Sequence, residues 1–470
     1  MADELILPAR GRSFSMQVPV VVIGAGACGM IAALTARDAG AEVLVIERDR
    51  VPAGSTALSS GFIPACRTRW QRQRSVVDTI KLMSDDILRK SKKEADPILV
   101  EVACESVGPT LEWLADAYEI PFTLVEGFLY PGQSVVRMHA HVDRTGAALM
   151  SALSGAVAKA GIDVMTEARV THLFADDGGQ IVGVRVVRPN GGAEAIGCRA
   201  LVLACNGYGG DPALVRELIP EMADALYFGH AGNQGDALKW GRELGALTRH
   251  LGAYQGHGSV ATPHNVLVTW ALMMEGGIQV NAEGRRFSNE HQGYSEQAVA
   301  VLRQPGGVAW DVYDARRHEL GQQFEDYRDA VEAGTVHEAA SVDDLARLIG
   351  CPAAALAETL AQAGACAAGQ ADDPFGRDFK GKPVLEAPYR AVKVTGALFH
   401  TQGGLMINPD ARVIRPDGRP LPNLFAGGGA ACGLSGSAVW GYLSGNGLLS
   451  AVAFGGIAGD RAGRLALGSA

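Results

Sequence analysis

The chain has 470 residues, too many for a single hydrophobic core, so we expect two or three domains. Its composition, 47% hydrophobic and 20% charged, is that of a globular protein and excludes the disordered and fibrous classes. A net charge of −9 provides no basic surface for nucleic acid, and no apolar run approaches the roughly 20 residues that span a bilayer. The eight cysteines form no CxxC pair and no Cys/His cluster, so we predict no metal site.

The first residues, MADELILPARGRSFSM, combine early acidic side chains with no long apolar segment, a pattern that predicts no signal peptide. Scattered cysteines fit a reducing compartment, where free thiols behave as small core residues. We therefore expect a cytoplasmic protein.

The first predicted elements form a βαβ unit. The strand 18–23, VPVVVI, has the continuous β-branched run of a strand buried on both faces. The turn GAGACG follows, with Gly24, Gly26 and Gly29 at GxGxxG spacing, then a helical segment and a second strand that ends at Glu47. Such glycines let the backbone approach a pyrophosphate at the helix start, while the acid accepts hydrogen bonds from the ribose. The unit predicts a dinucleotide cofactor.

Further along the chain, helical and strand patterns alternate. The segment 163–204 has the alternation of a β-meander, and 275–290 has the pattern of a hairpin. The composition from about 255 to 395 differs from both flanks, which indicates a segment inserted into one α/β domain. In chain order we predict helices over 76–118, 211–226 and 235–246, a helical stretch over 325–370, and strands with glycine turns from 396 onward.

Three later segments favour FAD over NAD. The loop 53–62, AGSTALSSGF, is rich in small and hydroxyl side chains that suit phosphate and a flavin ring. The segment 201–210 is a buried strand that ends in glycines, and 424–459 combines another strand with a helix that starts near Gly447. An NAD-binding fold needs no such return to the cofactor near the end of the chain.

These motifs resemble the flavoprotein family of fumarate reductase, the succinate dehydrogenase flavoprotein subunit and the 3-ketosteroid dehydrogenases. The resemblance extends over most of the chain and is closest to the ketosteroid dehydrogenase branch. It is strongest in GAGACG and in four further segments: GNQGDALKWGRELGA (232–246), EGGIQVNAEGRRFSNE (275–290), HTQGGLMIN (400–408) and the C-terminal glycine helix.

The resemblance implies an α/β fold: a two-part Rossmann-like FAD-binding domain with an inserted α+β capping domain. We place the two parts at 16–254 and 396–470 and the capping domain at 255–395. In the covalent members of the family a histidine bonds the flavin, and here Ser55 stands at that place, so we expect non-covalent FAD. The predicted cofactor-binding residues are Gly24, Gly26, Ala27, Cys28, Gly29, Glu47, Arg48, Ser55, Thr56, Ser60, Gly61, Val170, Ala204, Cys205, Gly207, Asp236, Gly428, Gly445, Asn446, Gly447 and Leu448.

The fumarate reductase branch uses two arginines, one as proton donor and one as carboxylate clamp. Matching the segments puts Met273 at the first arginine, and SAVWGYLSGNG, at the second, offers Trp440 but no cation. His257 and His400 resemble the family's substrate-binding histidines. A dicarboxylate without either arginine would be a poorly compensated buried anion, so fumarate reduction is disfavoured.

The ketosteroid dehydrogenase branch uses tyrosines. Its base resembles Tyr294 in RFSNEHQGY, and its ketone-binding tyrosine resembles Tyr442, with a small shift in spacing. In this predicted mechanism, Tyr442 and backbone N–H groups near Asn446 and Gly447 stabilise an enolate oxygen. Tyr294 removes the α-proton, and the β-hydride goes to flavin N5. A tyrosine pKa near 10 is high for a base at neutral pH, so the site would have to lower it.

Each of these residues also has a structural interpretation. Tyr294 could hydrogen-bond to backbone, Tyr442 and Trp440 could pack under the flavin ring, and the two histidines could position loops. His400 remains a rival to Tyr294 as principal acid or base. For substrate binding we predict His257, Trp270, Met273 and Trp440, with Trp270 and Met273 on an apolar wall.

The sequence thus predicts an FAD-dependent dehydrogenase that introduces a C=C bond α,β to a ketone on a cyclic or steroid-like small molecule. The alternative is reduction of an unsaturated carboxylate or enone. A diffusible acceptor or O₂ would take the electrons. The oligomeric state cannot be predicted from the sequence.

Overall fold

A computed structural model describes residues 4–127 and 129–468, which contain 21 strands and 15 α-helices. The strands are β1 (Ile6–Pro8), β2 (Met16–Ile23), β3 (Val43–Ile46), β4 (Ile63–Pro64), β5 (Phe122–Leu124), β6 (Met138–His141), β7 (Asp163–Met165), β8 (Arg169–Ala175), β9 (Ile181–Val187), β10 (Ala193–Leu203), β11 (Leu226–Tyr227), β12 (Thr248–Arg249), β13 (Tyr254–Ala261), β14 (Val266–Leu267), β15 (Ile278–Val280), β16 (Val308–Asp314), β17 (His337–Ala339), β18 (Tyr389–Thr401), β19 (Gly404–Leu405), β20 (Arg412–Ile414) and β21 (Pro420–Ala426). The helices are α1 (Ala27–Asp38), α2 (Gly54–Ala57), α3 (Arg69–Gln73), α4 (Ile80–Lys90), α5 (Pro97–Tyr118), α6 (Gly146–Lys159), α7 (Pro212–Leu218), α8 (Asp236–Glu243), α9 (Ala271–Met274), α10 (Tyr294–Leu302), α11 (Ala315–Gly321), α12 (Glu325–Glu332), α13 (Val342–Ile349), α14 (Ala353–Ala367) and α15 (Asn446–Ala466).

The larger sheet has nine strands and unites the two ends of the chain. Its parallel centre runs β7-β3-β2-β10, and β21 also pairs in parallel with β10. Strands β8 and β9 extend the sheet from β10 as an antiparallel meander. The meander predicted for 163–204 therefore begins only at Arg169, because 163–165 forms β7 and pairs in parallel with β3. Val20, Val21 and Val22 have no exposed surface because β2 is covered on both faces.

Helices α1 and α15 pack closely on this sheet because α15 carries glycines every four residues. Gly455, Gly459 and Gly463 therefore share one face of the helix. A Cβ at Gly459 would lie 2.0 Å from the Ala32 carbonyl oxygen of α1, and one at Gly455 would lie 2.7 Å from the Cys28 oxygen. The missing side chains let the two helix backbones touch, so the C-terminal helix lies beside the first cofactor-binding turn.

The second sheet has seven strands, with the order β14-β13-β18-β16-β15 and with β11 and β17 also paired to β18. The predicted hairpin at 275–290 is wrong in detail. Strand β15 pairs with β16, and the turn after it closes through a bond from the Asn281 N–H to the Arg285 carbonyl without a returning strand. The chain beyond the turn is held by buried ion pairs of Arg286 with Glu290 and Asp373 instead of a ladder.

The predicted α/β class, a Rossmann-like FAD-binding fold with a capping domain, is confirmed. The second sheet takes its strands from 226–227 and 254–401, which surrounds the predicted capping segment 255–395. The domain boundaries themselves stay predictions. Within residues 4–127 and 129–468, no helix combines the length and the apolar character needed to cross a membrane.

We expect opposite effects from adding one methyl group at two helical glycines. Gly459→Ala should destabilise the fold by about 1–3 kcal/mol, because the new Cβ collides with the Ala32 oxygen. Gly155→Ala, in the exposed interior of α6 with nothing within 4 Å of its Cβ, should stabilise by roughly 0.5–1 kcal/mol. Urea unfolding of both variants measures the difference, and equal effects would contradict this packing.

Candidate active site

The turn between β2 and α1 has the geometry of a dinucleotide cradle. Gly24 has φ +101°, and a Cβ at Gly29 would lie 1.8 Å from the Gly24 carbonyl oxygen, so neither position accepts a side chain. The N-cap of α1 is Gly26, which has no side chain, and the Ala27 N–H donates to the Thr56 hydroxyl at 3.2 Å; the partial positive charge of the helix start lies at the cavity, where it favours a phosphate. Glu47 holds the turn by accepting a 2.8 Å bond from the Ala25 N–H. These features fit the pyrophosphate and ribose of FAD.

A single large cavity extends from this turn to the second sheet, with an empty volume of about 1930 Å³ including its open mouth. Its lining runs from Gly24 and Glu47 at the dinucleotide turn to His257 and Tyr294 beside the second sheet, so one cavity connects the predicted cofactor and substrate residues. Of the predicted cofactor-binding residues, those that line the cavity are Gly24, Gly26, Ala27, Cys28, Glu47, Arg48, Ser55, Thr56, Ser60, Gly61, Val170, Ala204, Cys205, Asp236, Gly428, Gly445, Gly447 and Leu448.

Three predicted cofactor residues lie behind the wall instead. Gly29 faces the Gly24 backbone, and a Cβ at Gly207 would lie 1.9 Å from the Thr401 hydroxyl. Asn446 is fully buried, and its amide donates to the Leu434 carbonyl and the Ser435 hydroxyl. All three residues allow close packing beneath the cavity. They therefore occur in the same sequence motifs as the residues that line the cavity.

Ser55 is the residue predicted to stand at the place of the family's flavin-linking histidine. Its hydroxyl accepts bonds from the side-chain amides of Asn233, at 2.9 Å, and Asn206, at 3.2 Å. A serine hydroxyl held in this way offers no ring nitrogen for a covalent flavin bond, which agrees with the predicted dissociable cofactor.

Four rings, which we call the ring cluster, meet at the end of the cavity beside the second sheet: His257, Tyr294, Tyr442 and His400. His257 stacks on Tyr294 with 4.8 Å between ring centroids, and Tyr294 meets Tyr442 edge-on at 6.2 Å. Tyr442 in turn meets His400 at 5.5 Å. Trp270 closes one side, 5.7 Å from His257, and lines the same cavity. We call this end of the cavity the chamber.

Both histidines of the ring cluster are neutral at physiological pH because burial disfavours their charged forms. Burial lowers the pKa of His257 to about 3 and that of His400 to about 4. The Ser259 N–H donates to Nδ1 of His257 at 3.1 Å, so the neutral ring carries its proton on Nε2. Neither histidine can supply a positive charge to a substrate in this state.

The two tyrosines differ in their hydrogen-bond partners. Burial raises the pKa of Tyr294 to about 12, although bonds from Ser444 and Tyr442 act in the opposite direction. Burial raises the pKa of Tyr442 well above its ordinary value, while the backbone N–H groups of Gly445 and Gly447 partly offset it. Tyr294 is therefore the more easily ionised of the pair, but the structure does not bring its pKa down to neutrality as the mechanism predicted from sequence requires.

Met273 lies behind the chamber wall and not on it. Its side chain is buried against Gly277, where a Cβ would lie 2.8 Å from the Met273 methyl carbon, and it is absent from the cavity lining. The reason is the anchoring of α9: the Arg377 guanidinium donates to the Met273 carbonyl at 2.6 Å and to the Gly277 carbonyl at 2.8 Å. Met273 lies close to Trp270, as predicted from the sequence. Its side chain, however, does not line the chamber.

Trp440 also lies away from the chamber. It is half-buried, and the Lys92 ammonium sits 4.0 Å from the centroid of its ring, in a contact with the segment between α4 and α5. The short 3₁₀ turn Val439–Gly441 precedes Tyr442, which lines the cavity while Trp440 does not. Trp440 and Tyr442, two residues apart in the sequence, thus contact different parts of the protein.

Sequence reasoning missed several residues of the chamber because each comes from a separate part of the chain without a local motif. Ser444 bonds to Tyr294, and Thr269 directly precedes Trp270. The aromatic Tyr130 lies in the glycine-flanked GFLYPG, which was a usable signal for a loop near the ligand. The missed lining residues include Tyr130, Thr269, Phe324, Asp326, Phe399 and Ser444.

The charged residues around the cavity are unevenly distributed. Within the described ranges its only arginine or lysine residues are Arg48 and Arg169, which follow β3 and begin β8 in the first sheet. Arg48 donates to the Gly232 carbonyl at 2.7 Å, and Arg169 faces Asp236. The elements of the second sheet contribute no cation to the lining and one carboxylate, Asp326.

Comparison with known proteins agrees with this architecture. Residues 19–448 match the family described as FAD binding domain. The sequence is 30% identical to a probable fumarate reductase of Shewanella frigidimarina over 98% of this chain and 76% of that protein. It is 27% identical to a 4-oxocyclohexanecarboxylate 2-dehydrogenase of Sinomonas cyclohexanicum over 87% of each. A solved 3-ketosteroid Δ4-(5α)-dehydrogenase of Rhodococcus jostii RHA1 matches with a TM-score of 0.78 and 25% identity over 98% of this chain and 100% of that one.

Fold and site together define a flavoprotein oxidoreductase that acts on CH–CH groups with FAD as its cofactor. The chain belongs to the FAD binding domain family. The predicted resemblance to fumarate reductase and ketosteroid dehydrogenase flavoproteins is confirmed. The roles of individual residues stay predictions.

We expect acid precipitation of the yellow holoprotein to release all of its flavin, since Ser55 offers no ring nitrogen for a covalent bond. The supernatant should carry the flavin absorbance and the pellet should be colourless. Flavin fluorescence that migrates with the polypeptide on a denaturing gel would contradict the prediction.

Proposed function

We propose that the protein removes two hydrogens from adjacent carbons of a cyclic or steroid-like ketone, leaving a C=C bond conjugated with the carbonyl. The observation that carries this proposal is the hydrogen-bonded pair Tyr294 and Tyr442 in a chamber whose described lining contains no cation. Such a chamber suits a neutral carbonyl compound, since a buried carboxylate needs a compensating charge. Likeness to two dehydrogenases of ketones supports the same substrate class.

In the proposed mechanism the two tyrosines divide the work. Tyr442 keeps its proton and donates a hydrogen bond to the ketone oxygen, while the backbone N–H groups of Gly445 and Gly447 at the start of α15 donate to the Tyr442 hydroxyl oxygen. This polarisation acidifies the α-carbon, and Tyr294 accepts the α-proton. FAD supplies, when bound, the hydride acceptor for the β-carbon. In the ligand-free site the hydroxyls of Ser444 and Tyr442 both donate to Tyr294, and once Tyr442 donates to the ketone, the Ser444 bond stabilises the ionised form of Tyr294.

The histidines have supporting roles in this proposal. His257 stacks on Tyr294 and presents a neutral Nε2–H, so it can orient a carbonyl without adding charge. His400 lies so close to the start of α15 that a Cβ at Gly447 would be 2.9 Å from its Nε2. It remains the rival acid or base to Tyr294.

The proposal also includes a cytoplasmic location, a diffusible electron acceptor or O₂, and domains at 16–254, 255–395 and 396–470.

A second candidate is reduction of an unsaturated carboxylate or enone. It is favoured by 30% identity to a probable fumarate reductase and by the pair His257 and His400. Against carboxylates stands the chamber itself, because both histidines are neutral and the place of the family's proton-donating arginine is held by Met273, behind the wall. Enones remain compatible with it.

The two candidates make different predictions for flavin bleaching. Mixed anaerobically with the oxidised holoprotein, cyclic ketones and 3-ketosteroids should bleach the flavin absorbance, whereas succinate should not. Conversely, the dithionite-reduced protein should not be reoxidised by fumarate. Bleaching by succinate alone, or rapid reoxidation by fumarate, would contradict the ketone assignment and favour the second candidate.

We expect Tyr294→Phe to slow flavin reduction by a ketone by about 100-fold or more, since it removes the proposed base. In the unmodified protein the rate should rise about tenfold per pH unit from pH 7 to 10, because the ionised fraction of a tyrosine with pKa about 12 increases in that way. Stopped-flow absorbance measures both. A matched variant, Tyr389→Phe, lies outside the cavity lining and should retain the rate. A plateau below pH 8 would instead point to His400 or another group.

A further inference from the structure

One carboxylate lies in the chamber without a part in the proposed mechanism. Asp326 is the second residue of α12, a helix of the capping segment, and it lines the same cavity as Tyr294 and Trp270. Helix α12 is held there by its neighbours: Phe324, just before it, and Tyr327, within it, pack in the apolar cluster that contains Trp270, Tyr294 and Tyr442. The carboxylate is thus a hydrogen-bond acceptor held in place on the cavity wall.

The hydrogen bonding of Asp326 is incomplete. The Ser60 hydroxyl donates to Oδ2 at 3.3 Å, and no other hydrogen bond to the carboxylate is present in residues 4–127 and 129–468. Burial raises the pKa of Asp326 to about 6, partly offset by Ser60. The nearby Tyr130 feels both groups, since Tyr294 and Asp326 each raise its pKa. Asp326 and Tyr294 therefore both lie near Tyr130, in the cavity that all three residues line.

A ligand that fills this region removes water from Asp326. A carboxylate has about four acceptor positions and Ser60 occupies one of them, so a ligand with only apolar groups would leave the rest unsatisfied. Burying an unsatisfied polar group costs about 1–3 kcal/mol, and more when it is charged. A ligand hydroxyl or amine directed at Oδ1 would restore a bond, whereas a ligand carboxylate would be repelled.

We propose that Asp326 is a specificity-determining residue that accepts a hydrogen bond from a hydroxyl or amino group of the substrate, at a position remote from the reacting ketone. The natural substrate is then a hydroxylated or aminated cyclic ketone. This inference rests on the proposed ketone dehydrogenase function and adds the second polar group that the substrate must carry.

The test compares matched ligands that differ in one donor. Two pairs are used: testosterone against its 17-deoxy analogue, and 4-hydroxycyclohexanone against 4-methylcyclohexanone. Dissociation constants come from the perturbation of the oxidised flavin spectrum at equilibrium, and kcat/KM comes from turnover with an artificial electron acceptor. In at least one pair the hydroxylated member should bind at least tenfold more tightly. No preference in either pair, or no binding of any of the four ligands, would overturn the inference.

Variants of Asp326 test whether this residue causes any preference for the hydroxylated ligand. Asp326→Leu keeps a similar volume without an acceptor, so the ratio of dissociation constants should fall to within twofold of unity, while the deoxy ligand binds no more weakly than before. Asp326→Asn keeps one acceptor oxygen and the Ser60 bond, so its ratio should fall at least threefold without reaching unity. If the Asp326→Leu variant fails to fold, the Asp326→Asn variant provides the test of the hydroxyl preference. Asp329→Asn, an exposed acid on the same helix, is the matched control and should retain the full ratio.

Other outcomes separate the possible failures. If Asp326→Leu weakens both members of a pair equally, Asp326 serves only to join α12 to the Ser60 loop, and the inference is wrong. If the hydroxyl preference and its loss are seen in binding but no ketone reduces the flavin, the inference holds and the ketone dehydrogenase proposal fails. If ketones reduce the flavin with no hydroxyl preference, the proposed function holds and the inference fails.

Discussion

Burial of four titratable rings against one another determines what the chamber can do. His257, Tyr294, Tyr442 and His400 are packed ring on ring, with Trp270 at one side. Loss of water removes the charge from both histidines and keeps the proton on both tyrosines, since each charged form would be poorly solvated. In the described chain the chamber wall gains no lysine or arginine to reverse this effect. A neutral carbonyl compound is the ligand that such surroundings accept at the lowest cost in desolvation.

The ring cluster exists because distant parts of the chain are forced together. His257 is on β13 and Tyr294 starts α10, while Tyr442 and the Gly445–Gly447 turn come from the last part of the chain. That last part reaches the chamber because β21 pairs with β10 and because the glycine face of α15 lies directly on α1. The same contacts that place the helix start of α15 at the chamber also place α1 at the cofactor end. The packing of α1 against α15 therefore positions both the cofactor end of the cavity and the chamber.

Local chemistry was predictable from the sequence, and side-chain direction was not. The turn Gly24–Gly29 and Glu47 follow from steric and hydrogen-bonding needs within about 25 residues, so their pattern alone indicates a dinucleotide site. Met273 and Trp440 are predicted to bind substrate from the resemblance to family motifs, but their orientation depends on Arg377 and Lys92, which are remote in sequence. The hairpin at 275–290 fails for the same reason: β16, further along the chain, is the better partner for β15. Asp326 carries no motif, and only the packing of α12 in the capping segment brings it to the chamber.

The central claim is that proton removal at the α-carbon and hydride loss from the β-carbon take place in this chamber, whose described lining contains no lysine or arginine. Primary deuterium isotope effects on flavin reduction test it most directly, with a cyclic ketone that bleaches the flavin labelled at the α-carbons in one sample and at the β-carbons in another. The account predicts that both labels slow reduction, and that Tyr294→Phe changes the α effect more than the β effect. Reduction that is insensitive to the α label would contradict tyrosine-based proton abstraction, and insensitivity to both would place the slow step outside the chemistry proposed for this chamber.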